Sequence, residues 1–307
     1  MVSRIKICLR RWLLLASLIV AGSAVAANEI DVVASFSILG DITQRVGGER
    51  IKVHTLVGPN ADAHVYQPTP TDAKKLAVAK LVVVNGLGFE GWIDRLIKSS
   101  GYRGKVATAS AGIHSLERTD AENAHDHHDH GGNADPHAWQ DLSNAVRYVN
   151  NIEQALIDID PDGEPIYRAN AGKFRQEIMS LDAEIRAIFK AMPSDRLKVV
   201  TTHDAFGYFG RAYGIDFIAP IGVNTDAEPS AADIGRIIKQ IRRDRIPAVF
   251  IESISDSRLL ERIRQESGAR IGGTLYSDAL SKNDGPAATY LGMMRHNAHT
   301  LANALKE

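Results

Sequence analysis

The sequence predicts an α/β protein built as two parallel-sheet lobes joined by one long rigid helix. Three observations carry that prediction. Short β-branched runs alternate with amphipathic stretches, the pattern of parallel units in which a helix crosses over between successive strands. The alternation occurs twice, in two stretches of similar size. Between them, from Pro165 to Met192, the apolar residues Ile166, Phe174, Ile178, Leu181, Ile185, Ile188 and Phe189 recur at three- and four-residue steps. A chain of 307 residues also exceeds the usual size of a single core, and no short fixed period marks a solenoid.

The chain opens with a segment of different character. Arg4, Lys6, Arg10 and Arg11 form a basic stretch, Trp12 to Val20 an apolar one, and Ala24-Val25-Ala26 a small-residue cleavage site, so residues 1–26 read as a secretory signal peptide. Gly22 and Ser23 end the apolar run before it reaches the roughly 20 residues of a membrane span. The only cysteine, Cys8, precedes the apolar run, whereas a lipid-bearing cysteine would follow it. A soluble secreted product without lipid anchor, thiol or disulfide is expected, and any metal site in it must use nitrogen and oxygen ligands. Loss of four basic residues from 36 leaves 32 against 37 acidic ones, with no basic patch for nucleic acid or membrane.

The N-terminal lobe is expected over 27–160, with strands at Ile30 to Ala34, Ile51 to Val57, Leu81 to Val84 and Lys105 to Ala107. It contains a histidine-rich loop at 120–134. The linking helix occupies 161–193, with Pro165 suited to its first turn and Pro193 to its stop; Gly172 costs about 1 kcal/mol against alanine and does not by itself break it. About 28 residues of helix run on the order of 40 Å. The C-terminal lobe, 194–307, offers strands at Leu197 to Thr201, Ile215 to Ile218, Ala248 to Glu252 and Arg270 to Leu275. Ser230 with Asp233 reads as a capping box.

Metal-collecting chemistry is written into the 120–134 loop, where residues 125–130 read His-Asp-His-His-Asp-His: His125, His127, His128 and His130. The flanking Gly131-Gly132 pair argues against a defined site there, so the loop is read as auxiliary. Ligands of open parallel sheets bind beyond the carboxyl ends of strands. His64 follows the second strand, His203 the fifth and Asp278 the eighth, while His137 precedes a helix starting near Asp141. Singly, each is as well explained as a cap or surface residue; together they supply two candidates from each lobe. His54, at an inner strand position, and His114, His296 and His299 take a structural reading.

The segments Gly58-Pro59-Asn60-Ala61-Asp62-Ala63-His64, Asn85-Gly86-Leu87-Gly88-Phe89-Glu90, Asp135-Pro136-His137-Ala138-Trp139, His203-Asp204-Ala205-Phe206-Gly207 and Tyr276-Ser277-Asp278-Ala279-Leu280 resemble those of the periplasmic solute-binding proteins of zinc and manganese ABC importers, the ZnuA-like cluster A-I family. The resemblance implies a metal held in the cleft between the lobes by residues at the positions of His64, His137, His203 and Asp278. It also implies a membrane ABC permease with a cytoplasmic ATPase as partner. Three imidazoles and one carboxylate suit Zn(II), whereas manganese favours more carboxylate, and manganese-specific relatives typically carry glutamate where this chain has His203. The short histidine-rich loop with aspartate as fourth ligand is similar to the AztC-type zinc proteins, which implies a periplasmic zinc metallochaperone as a further partner; a monomer is expected.

Other readings fit less well. A manganese-binding importer protein or a metal-binding adhesin of the same fold are the alternatives. Gly86-Leu87-Gly88-Phe89-Glu90-Gly91 matches a dinucleotide fingerprint, but it follows the third strand of its lobe and Glu90 would face the pyrophosphate. A zinc hydrolase would keep an open coordination position and a general base, and no H-E-x-x-H pattern is present, so no enzyme is expected. With three imidazoles of reference pKa near 6.5, proton competition is expected to weaken binding steeply below about pH 6.

Overall fold

The computed structural model describes residues 29–117, 134–193, 196–226 and 228–306. Residues 1–26 and the loop histidines His125, His127, His128 and His130 lie outside them. Among the described residues no helix is long and apolar enough to cross a membrane.

The first lobe runs β1 (Ile30–Phe36), α1 (Ser37–Gly47), β2 (Ile51–Val57), α2 (Pro70–Val78), β3 (Leu81–Val84), α3 (Ile93–Ser100) and β4 (Lys105–Thr108). Helices α4 (Leu142–Ile159) and α5 (Glu164–Lys190) follow. The second lobe runs β5 (Lys198–Val200), α6 (Gly207–Tyr213), β6 (Asp216–Ile218), α7 (Ala231–Asp244), β7 (Ala248–Glu252), α8 (Ser257–Ser267), β8 (Arg270–Leu275) and α9 (Tyr290–Lys306). Both sheets are parallel and share one order, β2-β1-β3-β4 and β6-β5-β7-β8. Strand order therefore reverses between β1 and β3 and again between β5 and β7, and such reversals leave a crevice beyond the carboxyl ends.

Strand positions agree with the sequence pattern to within two residues at either end. The continuous apolar run of β3 is buried along its whole length, as a strand covered on both faces must be. His54 departs from expectation. It lies on the edge strand β2, partly exposed, with Nε2 2.7 Å from Asp31 Oδ1, because the register pairs Val33 rather than a helix against it.

Helix α5 is a single helix of 27 residues, about 40 Å long, unbroken at Gly172. Its amide ladder ends where Met192 N bonds Phe189 O and Pro193 has no N–H to continue. Buried Phe174, Ile178, Leu181, Ile185 and Phe189 form one stripe, each contributing about 1.5–3 kcal/mol on burial. At one end Arg45 of α1 lies 4.3 Å over the Phe174 ring and pairs with Glu177. Towards the other, Phe189 packs on Phe209 and Tyr213 of α6. The helix is thus a spine packed against both lobes rather than a tether strung between them.

One continuous core reaches from Val32 in the first lobe to Leu305 in the last helix. A second, smaller cluster under α7 and α8, with Val200, Ile237, Ile241, Val249 and Leu260, belongs to the second lobe alone.

Candidate metal centre

The carboxyl ends of the two sheets face each other, and their loops bring His64, His137, His203 and Asp278 together with one donor atom from each within 4.8 Å of the others. His64 Nε2 is 3.3 Å from His137 Nε2 and 3.2 Å from Asp278 Oδ2. Asp278 Oδ2 is also 3.2 Å from His203 Nε2, and Oδ1 is 3.5 Å from His137 Nε2. A tetrahedral ion with bonds of about 2.0–2.1 Å has ligand-to-ligand edges of about 3.3–3.4 Å, and these four contacts are of that length. His203 Nε2 and both Asp278 oxygens are buried and have no hydrogen-bond partner, which is costly unless a cation or proton satisfies them.

Each ligand position has a local cause. His64 sits in the loop after β2, where Gly58, Pro59 and left-handed Asn60 (φ 57°) turn the chain and Trp92 Nε1 holds Ala63 O at 2.8 Å. His137 precedes a 3-10 turn, Ala138–Gln140, and then α4, whose cap is Asp141 accepting from Ser143 N. Asn85, at the end of β3, donates to Pro136 O and fixes this segment over the sheet. His203 follows β5, and Asp278 follows β8, where Trp139 and Gln140 of the first lobe both donate to the neighbouring Ser277 O.

Two carboxylates that the sequence reading did not single out stand behind the imidazoles. Asp135 Oδ1 lies 2.8 Å from His137 Nδ1, and Glu252 Oε2, at the end of β7, lies 2.6 Å from His203 Nδ1. Such partners fix the tautomer that leaves Nε2 free to ligate and make the ring a stronger donor. The sequence carries a signal for both: Asp135 is two residues from its histidine, and Glu252 ends a strand, the position from which ligands of open parallel sheets come. The His64 ring has no such partner at Nδ1 among the described residues; Asp278 approaches its Nε2, and Asp62 bonds only its backbone N–H.

Burial works against charge on His137, but Asp278 and Asp135 outweigh it and push its pKa up to about 9. His203 is likewise opposed by burial and raised well above the ordinary value by Glu252 and Asp278. Asp278 is held well below the carboxylate range, His203 and His137 overcoming its desolvation.

The remaining histidines stay apart. His296 Nε2 lies 3.0 Å from Thr274 O, His299 is 3.6 Å from Glu184, and His114 is exposed. The glycine-rich Gly86–Gly91 turn is occupied by its own side chain: buried Glu90 accepts from Ser35 Oγ, Asn85 N and Gly86 N, the amides a phosphate would need.

A family described as zinc-uptake complex component A, periplasmic (ZnuA), matches residues 32–304. The manganese-binding lipoprotein MntA of Halalkalibacterium halodurans is 31% identical over 309 residues, covering 98% of this chain and 99% of its own. The manganese ABC transporter substrate-binding lipoprotein PsaA of Streptococcus pneumoniae is 29% identical over 291 residues, 92% of this chain and 91% of its own. Among solved structures, the periplasmic zinc binding protein TroA from Treponema pallidum superposes with a TM-score of 0.83 at 30% identity, covering 90% of this chain and 99% of that one. On a match that spans both lobes and the helix between them, this chain belongs to the ZnuA family of periplasmic metal-binding, substrate-binding components of ABC transporters.

Proposed function

We propose that this protein captures one Zn(II) between its lobes, with His64, His137, His203 and Asp278 as ligands, and delivers it to a membrane permease driven by a cytoplasmic ATPase. It makes and breaks no covalent bond. The observation that carries the reading is the donor set: three imidazoles and one carboxylate with donor atoms within 4.8 Å of one another, four of the contacts at 3.2–3.5 Å, and side chains almost wholly shut off from solvent. Four protein ligands leave no open position for an activated water, which argues against hydrolysis.

Manganese is the second reading, since MntA and PsaA are named for it. Mostly imidazole ligation in a four-donor cage favours zinc over a hard ion that takes more oxygen ligands. Those relatives are also named lipoproteins, whereas Cys8 here precedes the apolar run, so the mature chain is proposed to start after Ala26 without lipid. His125, His127, His128 and His130 are proposed to gather zinc for the cleft, from solution or from a metallochaperone, onto a monomer.

The decisive experiment strips the mature protein with chelator and offers equimolar zinc and manganese together. Expected is one tightly held zinc per chain; retention of manganese instead, or of neither ion, overturns the proposal.

A further inference from the structure

The cluster side chains are almost wholly shut off from solvent, so the ion leaves only if the walls part, and the walls are fastened unequally. On the His137 side the lobes are joined by buried hydrogen bonds: Trp139 Nε1 and Gln140 Nε2 to Ser277 O, and the Tyr290 hydroxyl to Trp139 O at 2.6 Å. Parting them strips partners from buried polar groups and exposes core. On the His64 side, Asp62 forms the side-chain bridge. Its Oδ1 accepts from His64 N at 2.8 Å, and its Oδ2 accepts from the Thr225 hydroxyl of the second lobe at 2.6 Å. Two bonds at Leu280 support it at the root of the loop: Asn60 N donates to Leu280 O and Leu280 N donates to Ser37 Oγ, both at 2.9 Å.

The bridge lies between two solvent-reached clefts. Asp62 and Thr225 border one of about 340 Å³, and His64 with Asp226, the residue after Thr225, borders another of about 650 Å³. His64 is also the imidazole with no carboxylate behind its ring, so it is the ligand least constrained from outside the cluster. Because Trp92 ties Ala63 to the first lobe, parting this seam carries His64 away from Asp278 and His203 with its own lobe.

We propose that Asp62 and Thr225 are positioning residues that latch the His64 wall to the second lobe and set the rate at which the cargo ion is released. The proposal rests on reading His64 as a ligand. No titration is involved: the latch is one hydrogen bond from a neutral hydroxyl to a carboxylate that at the same time orients the ligand's backbone.

The test is stopped-flow release of zinc from the loaded mature protein into excess EDTA. Thr225→Val, which keeps the shape and removes the hydroxyl, is expected to speed release about tenfold, the scale of one hydrogen bond to a charged group. One zinc per chain and the melting temperature of the metal-free protein should stay unchanged. Thr225→Ser should restore the slow rate. Asp62→Asn should also speed release, and the double variant should be no faster than the faster single one, since both break the same link. Wild-type release from Thr225→Val, failure of Thr225→Ser to restore it, or additive effects in the double variant overturns the latch. Failure of the wild-type protein to take up zinc overturns the metal reading instead.

Discussion

His137 and His203 come from different lobes yet are mounted alike, each fully buried with a carboxylate 2.6–2.8 Å behind Nδ1, whereas His64 rides a loop between two clefts with no carboxylate behind it. The difference separates two demands on a protein that must bind an ion tightly and still give it up. Backed imidazoles have a fixed tautomer, a fixed ring plane and strengthened basicity, which serve affinity. An unbacked one sacrifices some of that for freedom to leave. A site with three backed histidines would gain affinity and lose its way out.

The largest expected effect removes the backed ligands themselves. His137→Ala or His203→Ala should weaken zinc binding by more than about 100-fold, beyond the range seen for loss of an outer partner, in competition with a chromogenic chelator. His64→Ala should weaken it too, but with the smaller change in metal-free stability, because Asp278 keeps His137 and His203 beside it and no other buried carboxylate loses a partner. Equal destabilisation by all three would erase the distinction between the walls.

Next comes the backing. Glu252→Gln places an amide N–H against His203 Nδ1, which then accepts and leaves the proton on Nε2, the atom that must ligate. Asp135→Asn removes only the charge behind His137, because Oδ1 accepts from both His137 N and Nδ1 and the amide oxygen stays in that place. Each should cost about 10–100-fold in zinc affinity while the fold is retained, by the same titration. Unchanged affinity in both would mean the carboxylates only fill space.

The pH response follows from the same pairs. The folded pKa of His137 is raised to about 9 and that of His203 is raised well above 6.5, so both are charged in the metal-free protein at neutral pH. Their contribution to stability is fully present below about pH 6.5; the His137 part is lost as pH rises through about 9, and the His203 part is lost in the same direction, well above pH 6.5. Zinc affinity moves the other way. It should climb between about pH 6.5 and 9 with close to two protons released per ion, nearing 100-fold per pH unit. Calorimetry in buffers of different ionisation enthalpy measures that number. The sequence-based expectation, a fall only below about pH 6, underestimated the range because it took each imidazole at its reference value. Zinc binding at pH 7 without proton release would contradict the structure.

The smallest expected effect is the control. His54→Gln removes an exposed-edge pairing with Asp31 far from the cluster and should leave zinc affinity unchanged, with stability altered by no more than about 1 kcal/mol in a thermal melt.

Much of this protein was readable locally. Alternation of apolar runs set the two parallel sheets, the periodicity from Ile166 to Phe189 set the spine helix, and Ser230 with Asp233 announced a cap, because each signal lies within one element. The four clustered residues were legible because strand ends converge in this class of fold. Tertiary structure alone decided what surrounds them. Glu252 is 49 residues from His203 and Thr225 is 163 from Asp62, separations at which no local pattern constrains a pairing. The raised histidine pKa values, the unequal fastening of the two walls and the filling of the Gly86–Gly91 turn by Glu90 all arise from charges and donors brought together by packing, where burial strengthens every pairing it does not forbid.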